Sequence, residues 1–111
     1  MHVPKDFRTG WLLLLLRDGS GYGYDLRREL HARELEIDRA VMYRGLRDME
    51  QSGLISSRWA DSVAGPRRRV YSITESGRGE LERIVAELRA TRRAHEAFLA
   101  AYERSGERHA P

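Results

Sequence analysis

Mainly α-helical with one small β-hairpin is the fold class that this sequence predicts, and three observations predict it. Apolar residues recur at helical spacing, or run unbroken, through three successive segments. The period then drops to two across a pair of short segments separated by Gly65-Pro66. A long final segment returns to a helical pattern, with apolar positions repeating every seven residues.

Length and composition bound what this pattern can become. The chain has 111 residues, 41% of them hydrophobic and 33% charged, which describes one globular domain with a modest core and an additional helix. The net charge is +3, and Lys5 is the single lysine, so the cationic side chains are nearly all arginine. Arginine presents a planar, permanently charged fork suited to phosphates and guanine edges. There is no cysteine, which excludes disulfides, zinc-thiolate sites and cysteine nucleophiles. The one strongly apolar run, Trp11–Leu16, is too short to span a bilayer. It is followed by Arg17-Asp18 where a signal peptide would need small residues. A cytoplasmic protein is expected.

The first helix is expected over Phe7–Arg17, because consecutive leucines favour helix whereas buried strands prefer β-branched residues. Apolar on all sides, it needs cover beyond its own core, a first sign of an oligomer. Asp18–Gly21 is a turn in which Ser20 is a candidate N-cap. Tyr22, Leu26 and Leu30 then give a second helix to about Arg33, with a short connection over Glu34–Ile37. Asp38 caps a third helix that reaches about Ser52 and is closed by Gly53. Its buried face is Met42, Gly45, Leu46 and Met49, with Gly45 suited to a close helix approach; Arg39, Tyr43, Arg44 and Arg47 lie outward.

Leu54–Trp59 and Arg69–Thr74 read as strands, joined by a loop that carries Gly65-Pro66 and then Arg67-Arg68-Arg69. Thr74 caps a last helix from Glu75 to about Arg104, ahead of a polar tail expected to be flexible. On it Leu81, Leu88, His95 and Tyr102 form a seam, with Ile84, Val85, Thr91, Phe98 and Leu99 between them. The centre of that seam is polar, expected to be solvated or hydrogen-bonded.

Three helices and a hairpin, in that order, are the elements of a winged helix-turn-helix (residues 1–74), here followed by a long C-terminal helix (75–104) and a tail (105–111). In such folds the second helix of the turn motif enters the major groove and the wing touches the flanking backbone. The candidate DNA-binding residues are therefore Arg39, Tyr43, Arg44 and Arg47 on the helix and Arg67, Arg68 and Arg69 on the wing. Phosphate contacts of this kind make binding fall steeply with salt.

The stretch from Phe7 to Leu81 resembles the PadR family of bacterial transcriptional regulators. The resemblance is carried by Tyr22-Gly23-Tyr24-Asp25-Leu26, by Val41-Met42-Tyr43 with Leu46, Met49-Glu50 and Gly53-Leu54, and by Gly65 through Thr74 with Gly77 and Leu81. It implies a homodimer, usually a repressor, in which each C-terminal helix packs on the first and last helices of its partner. The expected interface residues are Trp11, Leu12, Leu15, Leu81, Ile84, Val85, Leu88, Phe98, Leu99 and Tyr102. A dimer implies a near-palindromic operator with half-sites about 34 Å apart. The short subgroup with one C-terminal helix further implies a hydrophobic or aromatic small-molecule effector, for which Trp11, His95, Phe98 and Tyr102 are the candidate pocket. Where the family commonly has Ser-Pro-Gly-Thr, this chain has Asp38-Arg39-Ala40-Val41. That difference implies an operator preference of its own.

Other classes fit less well. The histidines, His2, His31, His95 and His109, lack metal spacing, and no nucleophile elbow or phosphate-cradling glycine loop is present. Neither an enzyme nor a cofactor or metal protein is expected. No exposed aromatic platform on a sheet points to single-stranded RNA. A winged-helix protein-interaction module that never touches DNA is the remaining alternative, and three consecutive wing arginines speak against it.

Overall fold

The computed structural model describes residues 5–19, 21–61 and 65–109. Its elements are α1 (Lys5–Arg17), α2 (Gly23–Ala32), α3 (Arg39–Gln51), β1 (Ile55–Ala60), β2 (Arg68–Ile73) and α4 (Glu75–His109). The order is the expected one, with small shifts at the ends.

Local chemistry fixes most of those ends. The Asp38 carboxylate accepts from the Val41 N–H at 3.2 Å and so caps α3. At its other end Gly53 takes a φ of 80°, donates to the Glu50 carbonyl at 3.1 Å and lets Leu54 N–H reach the Met49 carbonyl at 2.9 Å. That pair of bonds is a Schellman closure. The same closure ends α2, where Leu35 N–H reaches the Leu30 carbonyl at 2.9 Å, but the left-handed residue is Glu34 (φ 58°). Ser20, the expected cap of α2, lies outside the described residues. Tyr22 occupies the capping position, without a side-chain hydrogen bond to the helix.

Burial of α1 differs from expectation. Leu12, Leu13, Leu15 and Leu16 are all buried within this chain, beside Leu26, Leu30, Met42, Leu46, Met49 and Ile55. Helices α2 and α3 and strand β2 all pack on α1, and within the apolar run Trp11–Leu16 only Trp11 and Leu14 stay half-buried. The run of leucines is thus the hub of the chain's own core, and its burial does not call for a second chain. Leu12 and Leu15, expected at a dimer interface, have no surface left to offer one. Gly45 is no point of forced approach either. A methyl group there would meet Leu12 Cδ1 at 4.0 Å, an ordinary contact.

Strands β1 and β2 pair antiparallel, from Ile55 opposite Ile73 to Ala60 opposite Arg68. Between them Gly65 takes a φ of 126°, the conformation for which a glycine is needed at this turn. The segment before α2 adds to the outer side of β2. Tyr22 bridges Val70, and the Gly21 carbonyl accepts the Tyr71 N–H at 2.7 Å.

Thr74 joins α3 to α4. Its hydroxyl donates to the Gly53 carbonyl at 2.6 Å and accepts the Gly77 N–H at 3.1 Å. Helix α4 continues to His109, through residues expected to form the tail. Two compact units divide the chain, Met1–Leu81 and Glu82–Pro111. The first unit extends past Thr74 because Gly77 and Leu81 are buried in it. Leu81, expected at an interface, is thus buried in the core of the first unit. Among the described residues no helix is long and apolar enough to cross a membrane.

Candidate nucleic-acid interface

The wing, the start of α2 and one face of α3 enclose a cleft of about 570 Å³. Arg39 and Tyr43 enter from α3, one helical turn apart, and Arg67, Arg68 and Arg69 enter from the wing. Five of the seven predicted residues thus meet at one place. Arg47 is exposed on the same helix, close enough for its charge to act on Tyr71 in the cleft. Arg44 is not part of it. It lines a separate groove between α1 and α3 with Arg8, Thr9 and Asp48, because one helical step turns a side chain by about 100°.

The three wing arginines are not equivalent. Arg67 is well exposed, with an exposed ion pair to Asp61 at 3.3 Å. Arg68 is exposed at the start of β2. Arg69 is engaged within the protein. Its Nε donates to Ser57 Oγ at 2.8 Å, its guanidinium lies 3.6 Å from a Glu50 carboxylate oxygen, and its Cζ sits 5.2 Å from the Trp59 ring centre. Ser57 in turn donates to Glu50 at 2.6 Å. Register explains the grouping. Arg69 is directly opposite Trp59 and Tyr71 opposite Ser57, so these four side chains share one face of the hairpin. Glu50 on α3 meets that face and fastens the wing to the helix.

Five cleft residues were not among the sequence-predicted contacts: Tyr22, Gly23, Tyr24, Trp59 and Tyr71. For Trp59 and Tyr71 a signal existed, since strand alternation places them with Arg69. Tyr22 and Tyr24 reach the cleft only through the tertiary fold. Burial raises the Tyr71 phenol above its ordinary value, partly offset by the Arg69 charge and reinforced by Tyr43 and Glu50. It is a neutral hydrogen-bonding group at physiological pH. The cleft is lined by arginines and aromatic rings, with no Asp or Glu in its walls among the described residues. Such a surface attracts anions and offers flat apolar faces beside them.

The residues singled out on the C-terminal helix differ in exposure. Ile84 and Val85 are half-buried, while His95 is exposed. Leu88, Leu99, Tyr102 and Phe98 are exposed by 41%, 54%, 70% and 71%. Thr91, at the polar centre of the seam, donates to its own helix at the Glu87 carbonyl, 3.0 Å away.

Three helices, a basic hairpin and the cleft between them define a winged helix-turn-helix protein. The PadR-like family of transcriptional regulators matches residues 12–83, and the chain belongs to that family. It is a family of regulators, not of enzymes. The structure is similar to a PadR family transcription regulator from Clostridium difficile, with 26% identity, a TM-score of 0.76, and coverage of 84% of this chain and 98% of that one. It is also similar to a transcriptional regulator from Clostridium thermocellum, at 25% identity and a TM-score of 0.73 over 85% of this chain and 94% of that one. The fold is shared with Bacillus subtilis PadR in complex with operator DNA, at 24% identity and a TM-score of 0.63 over 69% of this chain and 46% of that one.

Proposed function

We propose that this protein is a sequence-specific duplex-DNA-binding repressor that acts as a homodimer in the cytoplasm. The observation that carries the reading is the cleft, where Arg39 and Tyr43 of α3 and Arg67 and Arg68 of the wing meet without an acidic residue in the described walls. A helix in the major groove with a wing on the neighbouring backbone needs cations on both elements, facing one way. The Bacillus subtilis relative held on operator DNA supports a duplex as the partner.

The homodimer rests on α4. Leu88, Phe98, Leu99 and Tyr102 expose apolar surface along one helix, and a second copy of that helix is a matching apolar partner. Ile84 and Val85 lead into that face; Phe7, Trp11 and Leu14 are the apolar part of α1 that another chain could cover. Two copies give two recognition helices and a near-palindromic operator. A hydrophobic or aromatic effector belongs to the same reading, with His95, Phe98 and Tyr102 as the residues on α4 expected to meet it.

Selection of bound sequences from a random duplex pool tests the proposal. It should return a near-palindrome whose half-sites are about one helical turn apart. Light scattering at micromolar concentration should give twice the chain mass. A monomer, or a pool that shows no enrichment, would overturn the reading and favour a protein-interaction module. Release of the selected duplex by an aromatic dye would support the effector, and Phe98→Ala with Tyr102→Ala should abolish that release.

A further inference from the structure

The wing, α2 and α3 meet at Gly23, the first residue of α2. From the wing side the chain just ahead of it is fixed by the Gly21–Tyr71 hydrogen bond and the Tyr22–Val70 bridge. From the α3 side it meets Tyr43. A Cβ added at Gly23 would lie 2.5 Å from the Tyr43 hydroxyl oxygen, 2.7 Å from its Cε1 and 2.9 Å from its Cζ. Its three nearest neighbours therefore all belong to one ring. Gly23 is buried, and it is not among the positive-φ glycines, so backbone conformation does not demand a glycine. Helix propensity favours alanine at such a position. What demands the glycine is the space that Tyr43 fills.

The Tyr43 ring in turn carries Arg39, whose Cζ lies 5.8 Å from the ring centre. Both side chains line the cleft. We infer that Gly23 is a positioning residue for the DNA-reading surface: its missing side chain forms the seat of the Tyr43 ring, and the seated ring sets the place of Arg39. This rests on the reading of the cleft as a duplex-binding surface. The atoms in conflict are at the far end of a side chain that can rotate, so a methyl group at Gly23 displaces Tyr43 into the cleft and leaves the backbone in place. The aromatic wall and the Arg39 guanidinium then move together, and the groove between α3 and the wing narrows.

Four proteins test this: wild type, Gly23→Ala, Tyr43→Ala and the double variant, each measured for melting temperature and for affinity to the selected duplex. Gly23→Ala should weaken binding by about tenfold, the scale of one well-made base or phosphate interaction, and should lower the melting temperature. In the Tyr43→Ala background the same substitution should cost no affinity and should raise the melting temperature, because only its helix propensity remains. If Gly23→Ala does not fold, the double variant must fold, since the conflict is with Tyr43. Equal effects in the two backgrounds, or a Gly23→Ala protein that binds as wild type does, overturn the inference. A wild-type protein that binds no duplex sinks the DNA reading itself, an outcome distinct from a loss confined to Gly23→Ala.

Discussion

Helix α3 and the wing both bring arginines to the same cleft, yet the two regions use them differently. On α3 the helical turn sorts them, so that Arg39 shares the cleft with Tyr43 while Arg44 lines another groove with Arg8. On the wing the neighbours Arg67, Arg68 and Arg69 are sorted by strand alternation and by what lies opposite. Arg69 meets Glu50, Ser57 and Trp59 and becomes a fastener between hairpin and helix. Arg67 and Arg68 have no such anchorage in the core of the unit and keep their charge outward. A run of like residues is therefore not a run of like roles. A cation already engaged with a half-buried carboxylate has little left to offer a phosphate, whereas an exposed pair such as Arg67–Asp61 is weak and solvent-screened.

Three outcomes sharpen or break this contrast. The largest belongs to the outward wing cations. Charge reversal in Arg67→Glu/Arg68→Glu should lower duplex affinity by about a hundredfold or more at moderate salt, because attraction to the phosphates becomes repulsion. Light scattering should give the same mass as for the wild type, since neither residue is on α4. An affinity within a few-fold of wild type, read by fluorescence anisotropy, would remove the wing from the interface.

The next separates Arg69 from its neighbour by stability. Arg69→Ala removes a partly exposed ion pair, a hydrogen bond and a ring contact, and should cost about 1 kcal/mol in urea unfolding. Arg68→Ala should stay within about 0.5 kcal/mol of wild type, as expected for an exposed side chain. Equal costs at the two positions would erase the distinction between them.

The smallest effect is at alkaline pH. The Tyr71 phenol titrates above its ordinary value in the folded protein, chiefly through burial. Its unfolded form therefore loses the proton first, at about pH 10. The stability that this phenol contributes is complete below that value and is lost as pH rises from it toward the folded pKa. Tyr71→Phe should flatten that part of the alkaline decline in the urea midpoint, and an unchanged decline would assign it to other groups.

Much of this architecture is legible in the sequence because it is enforced locally. Asp38 and Gly53 mark the two ends of α3 by cap chemistry alone, and Thr74 marks the start of α4. The end of α2 carries no such mark, because Glu34 fills the left-handed position usually held by glycine. The cover of α1 is hidden for a different reason. Periodicity reports how much of a helix is apolar and not which chain covers it, and here α2, α3 and β2 of the same chain suffice for Leu12 and Leu15. The cleft is half legible. Its arginines stand out as charges, whereas Tyr22, Tyr24 and the Glu50–Arg69 link depend on the meeting of elements distant in sequence.

The proposal that α3 and the outward wing arginines neutralise DNA phosphates is tested most directly by the salt dependence of duplex affinity. The slope of log affinity against log salt should become shallower by about 0.9 for each phosphate that is no longer neutralised. Arg67→Ala/Arg68→Ala should therefore flatten the slope clearly, while Arg44→Ala should change it far less. A slope unchanged in the wing variant, or flattened equally by Arg44→Ala, would contradict the assignment of the cleft as the DNA-binding surface.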